Sequence, residues 1–331
     1  MKSKKILIIG SKEKFTLEKM YFRAYIKSKH TVKFLSVEEV YKSKIYNLVE
    51  KSFSYLIYNK IRKKIFFFLR KNKNFDLIIF FKGLYLNKKF LLLLRDICPK
   101  SKIVNIYTDN PLDINRKNIS NKSVIECIDQ FDLFCVYSKK ILKKIQLIKK
   151  KSKLLYLPFG FDKFTHVKGK LDANFKDKIN FIGSYDKKRL NFLKSLNNID
   201  LYIAGDNWKK RIKNHNKSIF GSKLSSVITS SSASLNLLRD QNLTSHNMRT
   251  FEVPAMNGLL LTKRSKEQNI FFPENKASLM FSNLKELKKK ISFIKNNPKK
   301  VYEIRNRGYL LSKKHTYTSR SVYLLNKIFN D

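Results

Sequence analysis

Residues 179–196, INFIGSYDKKRLNFLKSL, hold the pattern on which the fold turns. The apolar run 179–182 reads as a strand, Gly183-Ser184 as a small-residue turn, and 187–196 as a helix with a basic start. The same sequence of short apolar run, polar turn and longer helix-period segment repeats in both directions. Before it, strand-like runs fall at 6–9, 32–35, 77–81, 103–107, 133–136 and 154–157, with helical stretches at 16–27, 38–70 (broken), 86–96 and 139–149. After it come strands at 201–204, 234–237, 259–261 and 279–281, and helices at 248–256, 284–296, 298–313 and 319–329. Strands alternating with helices imply parallel βαβ units. The expectation is an α/β chain of two Rossmann-like, doubly wound domains joined near 158–178, with domains at 1–160 and 161–318 and a final helix at 319–331. In open parallel sheets ligands sit beyond the carboxyl ends of the strands, which directs attention to Gly10, Lys82-Gly83, Asp109, Gly183, Gly205 and the 238–252 segment.

Composition narrows the class. A chain of 331 residues exceeds what one core usually organises, and 43% apolar residues exclude a disordered protein. The longest apolar runs are five residues, against the roughly 20 that span a bilayer. The basic-then-apolar start, MKSKKILIIG, is too short in its apolar part for a secretory signal. Three cysteines without metal-like spacing, Cys98, Cys127 and Cys135, read as buried thiols in a reducing compartment, so a cytoplasmic location is expected. The net charge of +46 admits a nucleic-acid or anionic-membrane partner. It equally fits A/T-rich coding, because Lys outweighs Arg and is accompanied by Asn, Ile, Phe and Tyr. The lysines are spread along the chain rather than gathered in an arm, which argues against a specific nucleic-acid partner and leaves peripheral contact with anionic phospholipid open.

Candidate site residues follow the strands. Gly10-Ser11-Lys12 is neither a dinucleotide fingerprint nor a P-loop, which counts against an NAD enzyme. In Tyr107-Thr108-Asp109-Asn110-Pro111, Asp109 is either turn chemistry or a base able to take a proton from a substrate hydroxyl. Gly183, Ser184 and Arg189 lie at a strand-to-helix turn where backbone N–H groups and cations can bind phosphate. The 237–262 stretch is the richest: Arg239, then SHNMRTFEVPAMNGLLLT from Ser245. It reads as a polar loop, a short helix that Ser245 can cap, and a glycine turn into a strand. Arg249 would face an anion and Glu252 two ribose hydroxyls, unless the two only pair with each other.

This segment resembles the C-terminal signature of the spore-maturation (CgeB-type) glycosyltransferase-like family, a branch of the group 1 glycosyltransferases with the GT-B fold. YTDNP (107–111), LPFGFD (157–162), FIGSY…R (181–189), NLLR (236–239) and HTYTSR (315–320) fall in the order of that family. The resemblance is strong over about 150–330 and weak over the first hundred residues. It implies an N-terminal acceptor domain, a C-terminal nucleotide-sugar domain, two domains facing a cleft, and a last helix crossing back to the first domain. It implies a metal-independent transferase, with no cofactor beyond a nucleotide-diphosphate sugar donor and with a glycan, lipid-linked or protein acceptor. It makes Glu252 the ribose ligand, with Arg249 and Asn247 toward the donor phosphates. The chain departs from group 1 enzymes at Thr244, where an acidic residue is usual, and at Asn257, where glycine is common. The alternative is a catalytically silent sugar-nucleotide or polysaccharide-binding protein on the same fold.

Overall fold

The computed structural model describes residues 2–37, 54–113, 120–208, 212 and 215–330. The chain divides into two compact units, one formed by Met1–Pro158 with Arg320–Asp331 and the other by Phe159–Ser319.

The first unit is built on a six-stranded sheet of order β2-β1-β3-β4-β5-β6. Its strands are β1 (Lys5–Gly10), β2 (Thr31–Ser36), β3 (Leu77–Phe81), β4 (Lys102–Tyr107), β5 (Leu133–Val136) and β6 (Leu154–Tyr156). Every neighbouring pair is parallel. Ile6, Leu7, Ile8 and Ile9 are fully buried, as is nearly all of β3, because helices cover both faces of a parallel sheet. That is why these strands read as continuous apolar runs rather than alternating ones. The helices are α1 (Leu17–Lys27), α2 (Ser54–Lys71), α3 (Lys88–Ile97), α4 (Ser120–Glu126) and α5 (Lys139–Ile148). Of the helical stretch expected at 38–70, residues 38–53 lie outside the described residues. Right-handed crossovers fix the layers. The β1-to-β2 step runs one way across the sheet and the later steps run the other way. So α1 covers one face, and α2 to α5 cover the opposite one.

The second unit repeats the plan with order β12-β11-β10-β7-β8-β9, again all parallel. Its strands are β7 (Ile179–Ile182), β8 (Leu201–Ala204), β9 (His215–Asn216), β10 (Ala233–Asn236), β11 (Leu260–Lys263) and β12 (Leu279–Phe281). Its helices are α6 (Lys187–Lys194), α7 (Gly221–Ser230), α8 (Arg249–Ala255), α9 (Lys266–Phe271), α10 (Leu284–Asn296) and α11 (Pro298–Ser312). A last helix, α12 (Tyr317–Phe329), begins here and carries Arg320 onward into the first unit. Four elements go beyond the sequence reading: β9, α4, α7 and α9. In α7 the serines and threonines hide a buried stripe of Leu224, Val227 and Ile228. The core of this unit joins β7, β10, β11 and β12 to α10 and α11 through residues such as Phe181, Leu235, Leu261, Phe281 and Leu287.

Candidate functional site

The carboxyl ends of β7, β10 and β11 frame a pocket of about 230 Å³ in the second unit, lined by Lys188, Arg189, Arg239 and Lys263 and by Asp186 and Asp240. The turn after β7 is held from behind. Trp208, fully buried, donates its indole N–H to the Gly183 carbonyl at 2.8 Å and meets Phe181 and Tyr185 edge-on. Gly205, at φ 151°, passes so close to Gly183 that a Cβ there would collide with its carbonyl.

The start of α6 differs from the sequence expectation. Its leading N–H groups are not left for a phosphate, because the Asp186 carboxylate caps the helix and accepts from Lys188 N at 3.0 Å and Arg189 N at 3.3 Å. Asp186 also relieves the cost of three basic residues at a positive helix end. Arg189 reaches across to the Ser184 carbonyl at 3.1 Å and the Leu237 carbonyl at 2.7 Å, so it ties the β7 turn to the end of β10. Burial, helped by repulsion from Arg239, lowers its pKa to about 10. Lys188 pairs with Asp240 across the pocket mouth at 2.8 Å. Of the expected donor ligands, Arg189 and Arg239 line this pocket together, while Gly183 and Ser184 form the turn beside it.

Around α8 a second correction applies. Ser245 does not cap the helix, since its hydroxyl donates to Glu267 at 2.8 Å. Asn247 is the cap: its side-chain oxygen accepts from Thr250 N at 3.1 Å, and its own backbone N–H donates back to the Thr250 hydroxyl. Asn247 is in turn clasped by Asn236 at the end of β10 through two side-chain hydrogen bonds, of 2.8 and 3.1 Å. The carbonyl oxygen of buried Gln268 gathers the hydroxyls of Thr250 and Thr262 at 2.8 and 3.0 Å. This network fixes the entry of α8 on the sheet, and a buried network is rigid when its members are satisfied. At the first position of α8, Arg249 donates through Nε to the Ile182 carbonyl at 3.3 Å and pairs with Glu252. Glu252 is only 3% exposed, and His166 Nε2 stands 3.6 Å from its other oxygen. His166 Nδ1 accepts from Asp162 N, so the proton of the neutral ring belongs on Nε2, facing the carboxylate. Asn257, in the place where glycine is common, has φ 54° and closes the C-terminus of α8 in the left-handed conformation that glycine and asparagine tolerate best.

Asp109 belongs to the first unit. It follows β4 and holds Lys82 at 2.6 Å, with the two side chains about one-third exposed. Lys82 and Gly83 are consecutive left-handed residues, at φ 61° and 66°, a strained turn of the kind that gathers at functional sites. Below them Asn105 is fully buried and donates to the Lys82 carbonyl at 3.3 Å. Among the described residues no group of three or more His, Cys, Asp or Glu can hold a metal ion, and no helix is long and apolar enough to cross a membrane.

Residues 187–326 match the family model described as glycosyl transferase-like. The match begins at α6 and takes in the Arg249–Glu252 pair and the pocket lining from Lys188 onward, so this region is similar to glycosyltransferase-like domains. Solved structures extend the likeness to both units. The sucrose-phosphate synthase of Thermosynechococcus elongatus superposes with a TM-score of 0.72 at 9% identity, over 99% of this chain and 100% of the other. A UDP-forming trehalose-phosphate synthase from Burkholderia xenovorans gives 0.68 at 9% identity, over 99% of each chain. The N-terminal domain of the Candida albicans trehalose-6-phosphate phosphatase gives 0.67 at 10% identity, over 99% of this chain and 97% of the other. At such identities the likeness establishes the GT-B fold. No curated protein sequence matches this one.

The residues that sequence reasoning missed here are Trp208, His166 and Gln268, together with the link from Gln268 to Asn236 and Thr262, two residues already inside quoted motifs. Trp208 had a signal, being the single tryptophan in the chain. Gln268 had none, since its partners come from separate strand and helix ends.

Proposed function

We propose that the protein is a glycosyltransferase that moves a sugar from a nucleotide-diphosphate donor held by the second unit to a glycan, lipid-linked or protein acceptor, without a metal ion. The observation that carries this reading is the cationic pocket at the ends of β7, β10 and β11, lined by Lys188, Arg189, Arg239 and Lys263 within the glycosyltransferase-like region. Departure of a nucleoside diphosphate places negative charge on phosphate oxygens, and cations already fixed there lower the barrier without reorganising. Arg239 and Lys188, the latter paired with Asp240, line the pocket mouth. Arg189 fixes the wall, and Arg249, one-quarter exposed, faces the same strand ends from α8. Glu252 holds Arg249 in place and, through its remaining lone pairs, is the candidate ribose acceptor. Asp109 is the candidate base on the first unit. The CgeB-type branch is the narrower assignment, on the ordered motifs between 107 and 320. A cytoplasmic location accompanies it, suited to three buried free thiols.

The test is a donor screen by thermal shift and calorimetry. UDP-sugars come first, because the Burkholderia xenovorans neighbour is described as UDP-forming, followed by GDP-, TDP- and CMP-sugars. One donor class is expected to bind, and Arg239→Ala is expected to weaken it about tenfold, as loss of a charge-assisted contact does. If no nucleotide sugar binds, the donor assignment fails. A second reading, a silent sugar-nucleotide binder, draws on Thr244 in place of the usual acid. Donor binding with no detectable hydrolysis or transfer would favour it.

A further inference from the structure

We propose that the α2–α3–α5 face of the first unit is a docking surface for an anionic lipid bilayer. The observation is the division of α2 into two stripes. Ile57, Ile61, Ile65 and Leu69, four residues apart, are buried against the sheet. Leu56, Lys60, Lys63, Phe67 and Arg70 recur at spacings of four and three on the solvent side, and all are exposed. A soluble helix normally gives that outer stripe to polar residues alone. Here an aliphatic and an aromatic side chain, 58% and 56% exposed, stand in line with three cations.

The neighbouring helices extend the pattern. Helix α3 packs beside α2 and exposes Lys88, Lys89, Leu92 and Leu93. Helix α5, on the same face of the sheet by the handedness of its crossover, exposes Lys140, Lys143 and Leu147, the last 75% exposed. No acidic residue occurs in α2 or α5, α3 has one, Asp96, and α4, on the same face, has one, Glu126.

The chemistry selects the partner. Apolar side chains interleaved with Lys and Arg on a helix face are what an interfacial helix presents: the apolar groups enter the boundary of headgroup and acyl chain, and the cations meet anionic headgroups. A nucleic acid would use the cations and could stack on Phe67, but it would gain little from the more numerous Leu56, Leu92, Leu93 and Leu147, which cannot stack on bases. A second copy of this chain would bring the same positive charge and be repelled. The surface acts without a donor or acceptor, so it stands apart from the transfer reaction.

The experiment is co-sedimentation of the full chain with phosphatidylglycerol-containing vesicles and with pure phosphatidylcholine vesicles, at about 0.15 M salt where surface charges are screened beyond about 8 Å. Binding to the anionic vesicles alone is expected. The double variant Leu56→Ser/Phe67→Ser, which keeps every charge, should weaken it about tenfold, and Lys60→Glu/Lys63→Glu should abolish it. The matched charge reversal Lys288→Glu/Lys295→Glu, on the exposed side of α10 in the second unit, should leave it nearly intact. Circular dichroism keeps misfolded variants out of the comparison. The proposal is overturned if wild type ignores anionic vesicles, if both charge reversals reduce binding equally, or if the Leu56/Phe67 variant binds as wild type does. It is also overturned if RNA displaces the vesicles and binds the Leu56/Phe67 variant undiminished.

Discussion

Arg249 and Glu252 stand one turn apart on α8 as a partly buried ion pair, with the Arg249 Nε also bonded to the Ile182 carbonyl at the end of β7. One guanidinium therefore serves two elements at once, the helix that carries it and the strand whose turn borders the candidate donor pocket. A planar fork can do this, whereas the ammonium of a lysine is a single point.

For Arg249→Lys this geometry predicts two losses. One arm of the bridge goes, costing about 1–2 kcal/mol of stability, and turnover per folded molecule drops about tenfold, equivalent to about 1.4 kcal/mol of transition-state binding. Tm and kcat measured on the same preparation separate the effects. If only Tm falls, Arg249 is a strut and has no part in the chemistry.

Glu252→Ala is expected to be the harsher change. It strips a buried carboxylate from Arg249 and from the N–H of His166, and breaking a buried pair on one side costs about 3 kcal/mol or more. Denaturant unfolding reads this directly. Glu252→Gln, which keeps the shape and an acceptor, should recover most of the stability. If it recovers donor affinity as well, the carboxylate charge is not what binds ribose.

The β7 turn offers a steric test. Gly205 has a backbone φ of 151°, and a side chain there meets the Gly183 carbonyl, whereas a Cβ on Gly183 would first meet the Phe181 ring at 3.3 Å and the Arg189 guanidinium at 3.4 Å, both side chains. Gly205→Ala should therefore destabilise by about 2 kcal/mol or more, the combined cost of strain and of a displaced wall. Gly183→Ala should cost well under half of that. Equal losses would mean that the two glycines do not play different roles in the turn.

How much of this was legible in the sequence depends on how far apart in the chain the cause lies. The buried parallel strands were, because burial on both faces leaves an unbroken apolar run such as 77–81 or 179–182. Helix α8 was also legible, with its Arg249 and Glu252, since a spacing of three already places them on adjacent turns. Its cap was not, because Ser245, Asn247 and Met248 all precede the helix, and only the partners decide: Glu267 takes the Ser245 hydroxyl, and Asn236 orients Asn247. The role of Asp186 was missed for a related reason. Three following cations suggested an anion site, while the carboxylate that answers them stands at the cap itself. Gln268 was invisible, because the hydroxyls it gathers come from positions 250 and 262 and meet it only in the folded sheet.

Just beyond the end of β11, Arg264 binds Glu274 and Glu286 together, and Glu286 also accepts from Ser282 N at 2.8 Å. The guanidinium holds both carboxyls below the usual range, Glu286 at about 2. A carboxylate with a depressed folded pKa stabilises above its unfolded pKa, here near 4.5, and that contribution is lost as pH falls toward the folded value. Glu286→Gln should therefore cost at most about 1 kcal/mol at neutral pH, since the cluster is near the surface. The difference from wild type should close between about pH 4.5 and pH 2. Urea titrations across that range test it, and a gap that does not change with pH would remove the ion pair as its cause.

Asp109 gives the prediction that bears most on the first unit. It sits at the end of β4, paired with Lys82 on a strained left-handed turn, in the position beyond a parallel strand where such sheets place ligands. A partly exposed pair contributes at most about 1 kcal/mol to stability, so Asp109→Asn should leave the melting temperature nearly unchanged. If its carboxylate takes the proton from an acceptor hydroxyl, the same substitution should lower kcat by about 100-fold or more while the KM for the donor stays put, because the proposed donor pocket lies in the other unit. Lys82→Met serves as the control for geometry. It removes the ammonium partner but keeps the carboxylate, so it should retain far more of the wild-type kcat than Asp109→Asn does. A wild-type kcat for Asp109→Asn would return Asp109 to the role of a turn residue.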